Sequence, residues 1–140
     1  PMYRSGFLLA GAAPAWAGIS NYVGLEDGVV TAKEISLMNL ADADLVVLSA
    51  CQTATGDVLK DGVYGLQRAF KNAGAKSIIM SLWQVDDEAT YLMMSCFYKN
   101  RFELGMSKYD AFTAALRQIR TKFPESSHWK SFILLDPEIR

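Results

Sequence analysis

The sequence predicts an α/β layer domain, and three observations carry that reading. Leu45-Val46-Val47-Leu48 and Ser77-Ile78-Ile79-Met80-Ser81-Leu82 are apolar runs without alternation, as strands buried on both faces require. Between them Leu66, Ala69, Phe70 and Ala73 recur at i, i+3, i+4 and i+7, the stripe of a helix packed on one side. Strand, helix and strand within Leu45 to Leu82 make a βαβ unit, right-handed by strong default. Two more amphipathic stretches follow, and no internal repeat or linker interrupts residues 1–140, so a single domain is expected.

Taken in order, Ser5 to Ala10 is a short strand-like run with no preceding element to pair with. Gly11 to Gly24, rich in Gly, Ala and Pro, reads as a loop with Trp16 and Tyr22 as anchors. Asp27-Gly28 is a turn. Thr31 caps a short helix through Met38, and Glu34 three residues on completes a capping box. After the Leu45 strand, Gly56 to Gly62 is a loop, a helix runs from Val63 to Asn72, and Gly74 ends it. Asp86 and Asp87 open a long helix to about Arg101 with Ala89, Leu92, Met93, Cys96 and Phe97 on one face, so Cys96 reads as core. Ser107 is the N-cap of a helix from Lys108 to Lys122, with Asp110 at N3, where its charge suits the helix dipole. Its buried face is Phe112, Ala115, Leu116 and Ile119, and Pro124 stops it. Trp129 to Leu135 is the last strand.

Composition excludes several classes of function. Half of the residues are hydrophobic (51%), which excludes disorder, and 140 residues can bury a proper core. Lys+Arg of 14 against Asp+Glu of 15 gives a net charge of -1, so no basic field points to nucleic acid. No apolar run approaches a membrane span, and no signal peptide is visible. Two cysteines form no disulfide framework, which suits a reducing cytoplasm. One His and two distant Cys make no metal-ligand cluster, and no cofactor motif is present: the loop Gly56 to Gly62 has neither GxGxxG nor GxxxxGK.

Cys51 stands where the first apolar run ends, followed by the loop-formers Thr55, Gly56 and Asp57. In open parallel sheets functional groups collect at the carboxyl edge of the strands. A thiol there can act as a nucleophile, although a free Cys is also one of the most buried residue types. Spacing alone leaves both readings open.

Leu45 to Thr53, Gly62 to Phe70 and Gly74 to Asp87, with its Ser-Leu-Trp-Gln-Val-Asp-Asp ending, resemble the CHAT domain. This is the caspase-like cysteine-protease family found beside TPR repeats in bacteria and related to caspases, separase and gingipains. The similarity extends back through Arg4-Ser5-Gly6 and Leu8 to Ala12. It extends forward through Phe97-Tyr98, Gly105 to Ala111 and Trp129 to Phe132. It implies a caspase-like three-layer sandwich with a mostly parallel sheet, and Cys51 as the nucleophile that attacks a peptide carbonyl of a polypeptide substrate. A His base and backbone N–H donors, the Cys51 amide among them, would complete the site.

Family members keep that His, followed by Gly, upstream of the Arg-Ser-Gly-like segment, which here begins at Arg4. The expectation is therefore the carboxyl-terminal part of a CHAT domain, lacking its first strands and its base and inactive alone. His128, just before Trp129, does not fit the catalytic pattern and reads as a strand-entry or surface residue. In the related separases, the stretch matching Trp83-x-Val85-x-Asp87 supplies an acidic residue to a pocket for P1 arginine. By that resemblance Asp87, with Asp86 beside it, binds substrate; helix capping is the competing role for both, and the favoured one for Asp86. Trp83 reads as a core or cleft-wall aromatic, and Asp57 as a solvated turn residue. TPR repeats or other domains in the parent protein are the expected partners. The alternative function is a non-catalytic, self-associating scaffold, a homo-oligomer that covers a sheet edge left open.

Overall fold

In the computed structural model, which describes residues 5–10, 12, 28–48 and 59–137, the two aliphatic runs form neighbouring parallel strands. In chain order the elements are β1 (Gly6–Leu8), β2 (Val29–Thr31), α1 (Ala32–Ile35), β3 (Leu45–Leu48), α2 (Leu59–Asn72) and β4 (Ser77–Ser81). Then follow α3 (Asp87–Tyr98), a π-helical turn (Lys99–Glu103), α4 (Lys108–Lys122), α5 (Ser126–Trp129) and β5 (Phe132–Leu135). The loop expected over Gly11 to Gly24 lies outside the described residues apart from Ala12. The described residues fall into two compact units. One holds those up to Asp44 and those from 59 to Ala75; the other holds β3 and the chain from Lys76 onward.

In the first unit β1 pairs antiparallel with β2, Gly6 opposite Thr31. The partner thus follows β1 in the chain, and three residues between a turn and a cap are too few to show a strand period. A Cβ at Gly6 would lie 2.3 Å from the Val30 carbonyl oxygen, so only glycine fits the pairing. Thr31 leads directly into α1. The Thr31 hydroxyl accepts from the Glu34 amide at 3.2 Å, and the Glu34 carboxylate accepts from the Thr31 amide at 2.7 Å, the reciprocal pair read in the sequence. α1 is a single turn that ends at Ile35 rather than Met38, with Ser36 as its C-cap. α2 begins at Leu59, four residues earlier than its stripe suggests, and Gly74 terminates it at φ +101°, a conformation open to glycine. Ala32, Ile35, Leu66 and Ala69 form the buried core of this unit, with Phe7, Val30 and Phe70 packed around it.

In the second unit the strand order is β3-β4-β5. β4 is buried at all five residues, as a central strand should be, while β3 is half-buried along its length. β3 and β4 are parallel, Leu45 opposite Ser77 and Leu48 opposite Met80; β4 and β5 are antiparallel, Ile78 opposite Leu135. The described sheets are therefore mixed where a mostly parallel sheet was expected. The reason is the number of helical passes. Between β4 and β5 the chain makes two long ones, α3 and α4. Lys122 at the end of α4 pairs with Glu88 at the start of α3, so the two helices run in opposite directions. The second pass brings the chain back to the edge it left, and β5 enters in reverse: Leu82 N donates to Ser131 O at 2.9 Å just beyond the paired residues.

The core of this unit lies between sheet and helices. Ile79 and Phe132 from the strands meet Ala89, Met93 and Phe97 of α3 and Ala111, Phe112, Ala115 and Ile119 of α4. Ala89, Ala111 and Ala115 are fully buried, and small residues at a helix–helix contact let the backbones approach closely. The Ser107 cap is as expected, its hydroxyl accepting from Asp110 N at 3.0 Å. Cys96, expected in the core, is half-buried at its margin, and its thiol donates to Gln118 Oε1. Burial raises that thiol's pKa, partly offset by the charge of Lys99.

Candidate functional site

Cys51, the candidate nucleophile, and Asp57 lie outside the described residues, which resume at 59. The strand that leads to Cys51 is described. β3 ends at Leu48, three residues before the cysteine, and lies in register with β4. Both strands run the same way, so Leu48 and Ser81 end them at one edge of the sheet. That edge is the carboxyl edge, where parallel strands present functional groups.

From β4 the segment Leu82 to Asp86 continues without regular structure into α3. Its side chains separate into three roles. Val85 is buried in the core and anchors the segment. Trp83 is exposed, with its indole N–H donating to the Ser127 carbonyl at 2.9 Å, so the ring is fixed in place while solvent reaches it. Asp86 is the N-cap of α3: its Oδ1 accepts from Glu88 N at 2.9 Å and from Ala89 N at 3.2 Å. One carboxylate oxygen thereby satisfies two of the free amides at the helix start. Asp87 begins the helix and is exposed, and its carboxylate makes no hydrogen bond or ion pair among the described residues. Glu88 is held by Lys122. Of three consecutive carboxylates, Asp87 is the one left open to a cation from outside.

His128 sits on α5. Its ring tilts against Phe123 at 5.2 Å between centroids, and Nε2 lies 3.8 Å from Glu125 Oε2. It precedes β5 by a helical turn instead of entering the strand directly.

A buried polar cluster escaped sequence reasoning. Lys108 Nζ donates to Ser77 Oγ at 2.8 Å, and Ser77 Oγ donates to Asp136 Oδ2 at 2.9 Å. The ammonium and carboxylate are 3.7 Å apart and both side chains are buried. The cluster ties the start of β4, the start of α4 and the residue after β5 at the amino edge of β4, opposite the Trp83 to Asp87 segment. The one visible signal was Ser77 itself, a hydroxyl heading an otherwise apolar run.

An α/β protein with a parallel strand pair and an open carboxylate at its carboxyl edge is the class these features define. The family model of the CHAT domain matches residues 1–136, and the chain belongs to that family. It is 30% identical over 124 residues to Tetratricopeptide repeat protein 28 of Mus musculus and, to the same extent, to that of Homo sapiens. The match covers 87% of this chain and 5% of each relative, so the chain spans a small fraction of the length of these proteins. No helix among the described residues is long and apolar enough to cross a membrane.

Proposed function

We propose that this chain is part of a caspase-like cysteine peptidase domain that cleaves polypeptides after a basic residue, with Cys51 as nucleophile and Asp87 as the carboxylate for the basic side chain. The observation that supports this reading is the parallel register of β3 and β4, which puts Leu48, three residues before Cys51 in the sequence, and Ser81, at the end of the strand before Asp87, at the same sheet edge. The caspase-like three-layer arrangement is part of the proposal, and membership of the family supports it.

The chemistry would run as follows. The Cys51 thiol gives its proton to an imidazole, and the sulfur adds to the scissile carbonyl carbon. The imidazolium protonates the leaving amine as the C–N bond breaks, and water then hydrolyses the thioester and restores the thiol. Without a nearby base a thiol keeps a pKa of about 8.5 and is mostly protonated at neutral pH. His128 is the one histidine in these 140 residues, and its ring is engaged with Phe123 and Glu125. We assign the base to a residue outside these 140. Asp87 suits a guanidinium because its carboxylate is exposed and uncommitted; Asp86 is already an acceptor for two amides and serves capping.

The relatives are named for tetratricopeptide repeats. The same polypeptide is proposed to carry such helical repeats. The test of the catalytic reading is cleavage of an Arg-containing peptide reporter by the parent polypeptide. Cys51→Ala should abolish it, Asp87→Asn should cut kcat/KM for Arg more than for a neutral residue, and His128→Gln should leave it intact. Cleavage undiminished by Cys51→Ala would overturn the assignment.

A further inference from the structure

Asp87 follows a segment without regular structure, and a carboxylate discriminates between side chains best when its direction is fixed before the ligand arrives. Leu82 to Asp86 is pinned along its length. The Leu82 amide donates to Ser131 O at 2.9 Å, and the Trp83 indole N–H donates to Ser127 O at 2.9 Å. Val85 belongs to the core, and Asp86 Oδ1 accepts from the Glu88 and Ala89 amides. A continued backbone pairing, a core anchor and a helix cap are what any strand-to-helix connection uses. The Trp83 bond is an addition to them.

Trp83 is 41% exposed, so packing alone does not fix its ring. What an indole has and a phenyl ring lacks is the N–H, and this one is committed to a carbonyl 44 residues further along the chain. Ser127 lies in α5, a single turn in which most carbonyls have no helix amide to accept from. One bond therefore satisfies a helix-end acceptor and fixes the side chain. The support itself is firm. Lys130 N donates to Ser126 O at 3.0 Å, the His128 ring lies against Phe123, and Trp129 packs on the core. The Val85 anchor fixes a position but leaves rotation about it. The Trp83 bond before it and the Asp86 cap after it remove that rotation, and Asp87 is the next residue.

We infer that Trp83 is a positioning residue for Asp87: its indole N–H, held by the Ser127 carbonyl, keeps the Asp87 carboxylate set for a guanidinium before substrate binds. This rests on the reading of Asp87 as the carboxylate for the basic side chain, and it adds the residue that keeps that selectivity sharp.

The test places the benzothienyl analogue of tryptophan at position 83 of the parent polypeptide. The analogue keeps the fused-ring shape and carries sulfur in place of the N–H. Cleavage is followed on two peptide reporters, one with arginine before the scissile bond and one with its neutral isostere citrulline. The value of kcat/KM for arginine should fall about fivefold, through KM, while that for citrulline stays within about twofold. In an Asp87→Asn background the analogue should leave both values unchanged, because the carboxylate through which the indole acts is gone. Trp83→Phe should behave as the analogue does. Undiminished preference for arginine with the analogue overturns the inference and leaves the Asp87 reading standing. Equal losses on both reporters, or a loss that persists in the Asp87→Asn background, also overturn it, in favour of a ring that touches substrate directly. A parent that does not prefer arginine to citrulline overturns the Asp87 reading and the inference together.

Discussion

The helix that Thr31 caps and the helix that buries Phe97 are held by different means. α1 is one turn long, and its cap is made of two residues that exchange hydrogen bonds at the surface, over a core of two alanines, Ile35 and Leu66. α3 has three turns, and Phe97, Met93 and Ala89 lock it between the sheet and α4. An isolated turn is not stable alone, so in the first unit local hydrogen bonds must offset what a small core does not supply. In the second unit burial dominates and the caps add to it. The contrast says which residues should matter most in each place.

The largest effect is expected at the centre of the second unit. Phe97→Ala should lower stability by about 4 kcal/mol, read as a shift of the urea midpoint at unchanged slope. A loss below about 1 kcal/mol would erase the distinction between the units, being no more than a cap is worth.

Next comes the buried cluster at the amino edge of β4. Asp136→Ala leaves the Lys108 ammonium buried without its carboxylate and should cost about 3 kcal/mol. Lys108→Met combined with Asp136→Leu should recover most of that loss, because the penalty belongs to a buried ammonium deprived of the Asp136 carboxylate; a double variant as unstable as the single one would locate the effect elsewhere.

In the first unit Thr31→Ala should cost about 1 kcal/mol and speed amide exchange at α1 without touching β4. The Glu34 carboxyl is held below its ordinary range, first by the Thr31 amide and then by the Thr31 hydroxyl. Its folded pKa is lowered, so its contribution is present above the unfolded value and is lost as pH falls through the folded one. Amide protection in α1, taken relative to the intrinsic exchange rate at each pH, should fall in acid, and Thr31→Ala should lessen that pH dependence without removing it, because the backbone amide at position 31 remains.

The smallest effect sharpens the margin of the larger core. The Cys96 thiol has a raised pKa, so its contribution is complete below the unfolded value and declines as pH rises above about 8.5. Alkylation of Cys96 at pH 8.5 should be slower in the folded protein than in urea. Equal rates would mean that its half-burial does not shield it.

Most of the second unit was legible because its signals are local and redundant. The caps at Ser107 and Asp86, the stripes of α3 and α4, and the unalternated run of β4 each point the same way. β2 was not legible: three residues have no period, and their strand exists through pairing with β1. The direction of β5 was not legible either, since it follows from two helical passes whose orientation depends on packing. At the candidate site the residue types could be read and their duties could not. Asp86 and Asp87 look alike in sequence, and the helix start makes one a cap and leaves the other open.

The antiparallel return of β5 has a practical consequence for anyone handling this molecule. Asp136 meets Ser77 where β4 begins, so the chain after β5 emerges at the edge opposite Trp83 and Asp87. The length of β4 separates the two, roughly 16 Å for five residues in a strand. A fluorophore, affinity handle or surface tether joined at the exposed Pro137 therefore starts from the edge opposite the one where substrate is proposed to enter. It can report on the domain without standing in the substrate's path.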